Sequence, residues 1–255
     1  MAVPSTGAVY LDSLYLARNG IELGEVDTDT PDFRAEFGDG LRFEIPFRYL
    51  SGDQPVGSGD LAVGTRQGAF LLTALVLYHE LSHAADFFPP DRLAAVDRGT
   101  PIAEVRFTGE RISDDLRVNL PLRSSTLRGV AGVRFLGDAP TDTERSLTPD
   151  EIADAFALDG AVDFYAYATP FEDLAMTAEA FWARHALGLE RDVLVIPRVA
   201  APERCTDLPV IWGVRDRILE PEVLERLRIV LGRILPEASD ALLSAFADGG
   251  FPRLA

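Results

Sequence analysis

Hydrophobic and polar positions alternate most clearly over Leu41–Leu50 (Leu-Arg-Phe-Glu-Ile-Pro-Phe-Arg-Tyr-Leu), a period of two that predicts a strand. Pro46 in its middle has no N–H for a ladder and points to an edge or a bulge. The whole stretch Val9–Leu50 reads as short strands and turns, and the Gly- and Asp-rich residues 51–68 predict a loop. From Ala69 the apolar positions close into a run that predicts a helix over 69–87, stopped by Pro89-Pro90. Ile102–Phe107 and Val130–Phe135 read as strands, Gly137–Thr143 as a polar turn and Val193–Ile196 as a short apolar segment.

The later helices carry their own punctuation. Thr148-Pro-Asp-Glu151 has an N-cap Thr, a Pro at the first helical position and a Glu that completes a capping box. The same order at Thr169-Pro-Phe-Glu172 opens a helix running to about Ala186 and ending at Gly188. Pro221–Leu235 is strongly amphipathic, and Ala238–Ala247 predicts a second helix. No repeat and no linker-like stretch divides the chain. The expectation is one domain over 1–255, with an N-terminal α/β half over about 1–146 and a helical half over about 147–255.

Composition narrows the partners. The 255 residues are 47% hydrophobic and 25% charged, enough for a sizeable core. Asp and Glu number 41 against 24 basic residues, all of them Arg, for a net charge of -17. That balance argues against nucleic acid and against an anionic membrane surface. Ala69–Tyr78 is too short to span a bilayer. The lone Cys205 excludes an intrachain disulfide and leaves the redox compartment open. The N-terminus lacks the basic and apolar regions of a signal peptide, so the protein is cytoplasmic or a leader has been removed.

The chemistry lies in His79-Glu80-Leu81-Ser82-His83. Histidines four apart on a helix share a face and present two nitrogens to a tetrahedral Zn²⁺, leaving positions for a third ligand and a water. Glu80, beside the first ligand, reaches the water as general base. A buried helix carrying His, Glu, His and Asp is unfavourable without a metal or other partners. The metzincin pattern would put a third His six residues after His83, where Pro89 stands. Asp86 is placed to orient a ligand or to cap a polar neighbour. The remaining third-ligand candidates, Glu172, Asp173, Glu179 and His185, share one predicted helix.

The run Thr169-Pro-Phe-Glu-Asp-Leu-Ala-Met-Thr-Ala-Glu-Ala-Phe181 resembles the second ligand helix of gluzincin-type zinc metallopeptidases, which pair HExxH with a downstream Glu. The resemblance covers the two helices and little else. It implies Glu172 as third ligand and departs at Met176, where relatives carry an acidic residue; Asp173 or Glu179 would then orient a histidine. Lethal-factor-like members place a Tyr seven residues before the ligand Glu as the oxyanion donor, which implies Tyr165; Tyr167 would share its side of a strand. His185 and Arg184 are weaker candidates for that role. The implied fold is α+β and zincin-like: a small twisted sheet over the HExxH helix, one zinc ion, and a substrate cleft beside an edge strand taken to be Ile102–Phe107. Exported or lipid-anchored relatives tip the expected compartment to extracytoplasmic, with cytoplasmic the alternative.

The expected activity is a zinc metallohydrolase acting on peptide or protein. The rival is a zincin-like binding or structural protein that keeps the metal without cleaving, and Glu80 favours the enzyme because a purely structural site needs no base. A hydrolase of non-peptide amides is the third reading. Substrate identity and oligomeric state are not written in the sequence.

Overall fold

A computed structural model describes residues 2–3, 8–9, 40–62, 65–105, 111–198 and 209–247. The architecture is α+β: among the described residues a five-stranded antiparallel sheet and a separate two-stranded pair accompany a helical body. Strands β1 (Ala2–Val3) and β2 (Ala8–Val9) pair with each other, and both contact the HExxH helix. The rest of the expected strand-and-turn region before Gly40 lies outside the described residues.

The Leu41–Leu50 strand forms as β3 (Phe43–Glu44) and β4 (Phe47–Ser51). Both lie against β6 (Glu190–Pro197) in one register, with Phe43 opposite Pro197 and Phe47 opposite Val193. Pro46 interrupts the ladder only by lacking a donor; its carbonyl still accepts from the Leu194 N–H at 2.9 Å. The register is continuous, so no bulge is needed. β5 (Gln54–Pro55) folds back on the end of β4, which makes the predicted 51–68 loop a hairpin and a short 3₁₀ turn. β7 (Trp212–Arg215) covers the far edge of β6. The segment Val193–Ile196 is therefore the middle of the central strand, and strands from both halves of the chain build the sheet.

Helix α1 (Arg66–Phe87) starts three residues earlier than the apolar run suggests, because Thr65 caps it by accepting from the Gly68 N–H at 3.0 Å. It ends before Pro89-Pro90, as expected. Two predicted strands are helical instead. Ile102–Val105 is one helical turn, and Phe107 lies outside the described residues. Val130–Phe135 belongs to α3 (Ser125–Ala131), which follows α2 (Ile112–Asn119), and to the π-type turn Gly132–Leu136 after it. Ser124 caps α3, and a helix puts Leu127, Val130 and Ala131 together in the core. Burial on one face outweighs the weak strand preference of a few β-branched and aromatic residues.

Helix α4 (Pro149–Ala157) has the predicted capping box of Thr148 and Glu151. The central helix is α5 (Pro170–Leu187), capped by Thr169 and closed by Gly188 in the left-handed region at φ 64°. Its residues Asp173–Phe181 are all buried, because it packs on α1, α2 and α6 (Pro221–Ile234) at once. α7 (Ser239–Ala247) closes the body by packing Leu243 and Phe246 against α5 and α6. Among the described residues no helix is long and apolar enough to cross a membrane.

Gly68 is where the first turn of α1 passes the preceding loop, and a Cβ there would overlap the Ala62 carbonyl oxygen. Helix propensity alone favours Gly68→Ala by about 1 kcal/mol. The clash reverses that sign: the variant is expected to lose about 1–3 kcal/mol in urea unfolding.

Candidate metal centre

The site arises from two helices packed antiparallel. Leu71, Leu75, His79 and His83 form one row along α1 at steps of four. On α5 the facing row is Glu172, Met176, Glu179 and Ala183. Leu71 and Leu75 pack with Ala183 and Tyr49, His79 meets Glu179 and Glu172, and His83 meets Glu172. Beyond them Phe87 stacks on Phe171 at 5.6 Å. The apolar half of the seam fixes the register that the polar half uses.

His79 Nε2 lies 3.0 Å from Glu172 Oε2, His83 Nε2 lies 3.5 Å from the same oxygen, and the two Nε2 atoms are 3.1 Å apart. Ligand atoms around a tetrahedral Zn²⁺ at about 2.0–2.2 Å stand about 3.3 Å from one another, so the spacing fits that ion. Glu172 Oε2 is buried and receives no hydrogen bond of proper geometry, although two imidazole nitrogens are near. One ligand atom from each of His79, His83 and Glu172 lies within 4.8 Å of the other two, an arrangement among the described residues that could hold a metal ion.

Glu179 has a different part. Its Oε2 lies 2.9 Å from His79 Nδ1, on the side of the ring away from Glu172. A proton on Nδ1 leaves the Nε2 lone pair facing Glu172 and His83. Burial alone would lower the His79 pKa, but the carboxylates of Glu172 and Glu179 on its two ring nitrogens lift it to about 9. Burial would raise Glu172, and the two imidazoles instead bring it down to about 2. Both directions say that positive charge is favoured between these groups.

The other sequence candidates separate cleanly. His185 stacks on Phe181 at 5.3 Å, outside the convergent group, and burial lowers its pKa. Asp173 turns away to Arg226 at 2.6 Å. Asp86 orients no ligand: it accepts from the Ser113 N–H and hydroxyl at 2.9 and 2.7 Å and so caps α2. Phe164–Tyr167 is a 3₁₀ turn rather than a strand, so Tyr165 and Tyr167 diverge. Tyr165 lines the cleft with its ring nearly parallel to that of His79 at 6.1 Å, whereas Tyr167 is buried in the core.

Glu80, Tyr165, His79, His83 and Glu172 share a cleft of about 840 Å³. Its apolar lining includes Leu72, Val76, Phe135 and Met176. The sheet edge along it is Ile45–Tyr49, whereas Ile102–Val105, the described part of the expected edge strand, is a helical turn and offers no edge. Pro46 bonds inward to β6, while the Tyr49 carbonyl accepts outward from Val56 N–H at 2.7 Å. Alternation then turns the backbone groups of Ile45 and Phe47 outward, and among the described residues no strand pairs with them.

Comparison with protein-family models, curated proteins and solved structures gives no match in any of the three.

The geometry assigns different losses to the two glutamates. Glu172→Ala is expected to abolish stoichiometric zinc binding. Glu179→Gln is expected to keep one zinc per chain with affinity about 10–100-fold weaker, measured by competition with a chromophoric chelator.

Proposed function

We propose that this protein is a zinc-dependent metallohydrolase of the gluzincin type, acting as a peptidase on an extended peptide. The observation that carries the reading is the convergence of His79, His83 and Glu172 beside Glu80 in an open cleft. A zincin-like fold is part of the same proposal, supported by the HExxH helix lying against a second helix that supplies the acidic ligand.

His79 Nε2, His83 Nε2 and Glu172 Oε2 would hold the ion. When bound, zinc supplies Lewis-acid polarisation of a carbonyl and makes water acidic enough to attack at neutral pH. Glu80 is the group next to the centre that takes a proton from the attacking water and returns it to the departing amine. Tyr165 presents its hydroxyl as donor to the charge developing on the carbonyl oxygen. Glu179 holds the proton on His79 Nδ1 throughout, so the ring cannot turn.

The backbone groups of Ile45 and Phe47, which no strand pairs among the described residues, suit an extended chain that adds itself to the sheet edge. That favours a peptide over a compact amide. The apolar walls favour apolar side chains next to the scissile bond.

Glu80→Gln is expected to keep its zinc and lose at least about 10²-fold in kcat/KM on a peptide library. Tyr165→Phe is expected to lose about 10²-fold, mainly in kcat. Zinc binding by wild type without cleavage of any peptide pool would instead favour the non-catalytic metal-binding protein.

A further inference from the structure

Glu179 has a second side, which faces a buried ion network rather than the cleft. Its Oε1 accepts from the Tyr49 hydroxyl at 2.8 Å and from Arg191 Nη1 at 3.3 Å. The same guanidinium sends Nη2 and Nε to Asp163 Oδ2 at 2.7 and 3.2 Å. Asp163 uses its other oxygen, Oδ1, to accept from the Tyr165 N–H at 2.8 Å, capping the turn that carries Tyr165. The Arg191 guanidinium also lies 4.0 Å from the Phe47 ring centre and 4.7 Å from that of Tyr49, on the strand that edges the cleft.

One cation thus touches the holder of His79, the cap of the Tyr165 turn and the cleft-edge strand. Only 4% of its side chain is exposed, as is 4% of that of Asp163. Burying such a group is poorly explained by stability, because well-packed apolar residues usually serve at least as well. A planar fork with five donors does explain it: it can hold two carboxylates and two rings at fixed angles, which an ammonium cannot.

We propose that Arg191 is a positioning residue that couples the His79–Glu179 side of the metal centre to the Asp163–Tyr165 turn. The proposal rests on the metal-centre reading and is independent of whether peptides are cleaved. Arg191 fixes Glu179, Glu179 fixes the His79 ring, and through Asp163 the same guanidinium fixes the base of Tyr165. Loss of charge at Asp163 is therefore felt at His79, although the two side chains do not touch.

Cobalt(II) reads this directly, since its visible spectrum reports ligand geometry. The set is wild type, Arg191→Lys, Asp163→Asn, Tyr49→Phe and a control, Arg215→Gln, whose residue pairs with Asp192 on the same sheet at 2.7 Å. Asp163→Asn keeps an oxygen for the Tyr165 cap and puts an NH2 group in place of the charged oxygen that accepts from Arg191. Arg191→Lys and Asp163→Asn are expected to shift the d–d bands and weaken cobalt by about tenfold, Tyr49→Phe by less, and Arg215→Gln not at all. If Arg191→Lys does not fold, Asp163→Asn decides alone. A folded Asp163→Asn with wild-type spectrum and affinity would overturn the coupling, as would an equal change in Arg215→Gln. Failure of the wild type to bind cobalt would overturn the metal centre and the coupling with it.

Discussion

The packing of α1 against α5 carries everything else at this site. It takes two imidazoles and two carboxylates out of water along one seam, where unpaired charge is strongly unfavourable. Leu71, Leu75 and Ala183 set the register of that seam, and the register decides that Glu172 faces the Nε2 atoms while Glu179 faces Nδ1. A shift of one helical turn would break every one of those pairs.

The demand for pairing then spreads outward. Glu179 is shared by His79, Tyr49 and Arg191, and Arg191 in turn needs Asp163. Asp163 stands at the start of the turn that presents Tyr165, so the sheet, the turn and the two helices close on one another around a chain of charges. Asp173 and Asp86 serve the scaffold from the same two helices, one tied to Arg226 and one to Ser113. Adjacent acidic residues on one helix thus separate into site and support: Glu172 looks toward the cleft, and its neighbour Asp173 looks toward α6.

Local chemistry was readable in the sequence wherever the spacing itself made the geometry. Two histidines four apart lie on one helix face whatever surrounds them, and the caps at Thr148 and Thr169 act within a single turn. Glu172 needed the resemblance to single it out among four candidates on its helix, and nothing local separated the tasks of Glu172 and Glu179. The Tyr49–Glu179 contact joins residues 130 apart and Arg191–Asp163 joins residues 28 apart, so no motif announces either. Ile102–Val105 and Val130–Phe135 are helical where their sequence suggests strand, because short apolar runs fit either period. In the second case a capping serine and one buried helical face decided it. The cleft edge is instead the interrupted strand around Pro46.

The most direct test of the central claim is X-ray absorption at the zinc edge on the protein loaded with one equivalent of zinc. Two imidazole nitrogens and one carboxylate oxygen are expected at about 2.0–2.2 Å, with one further light atom from solvent. A shell closed by four protein ligands, or one unchanged when Glu172 is replaced by alanine, would contradict it.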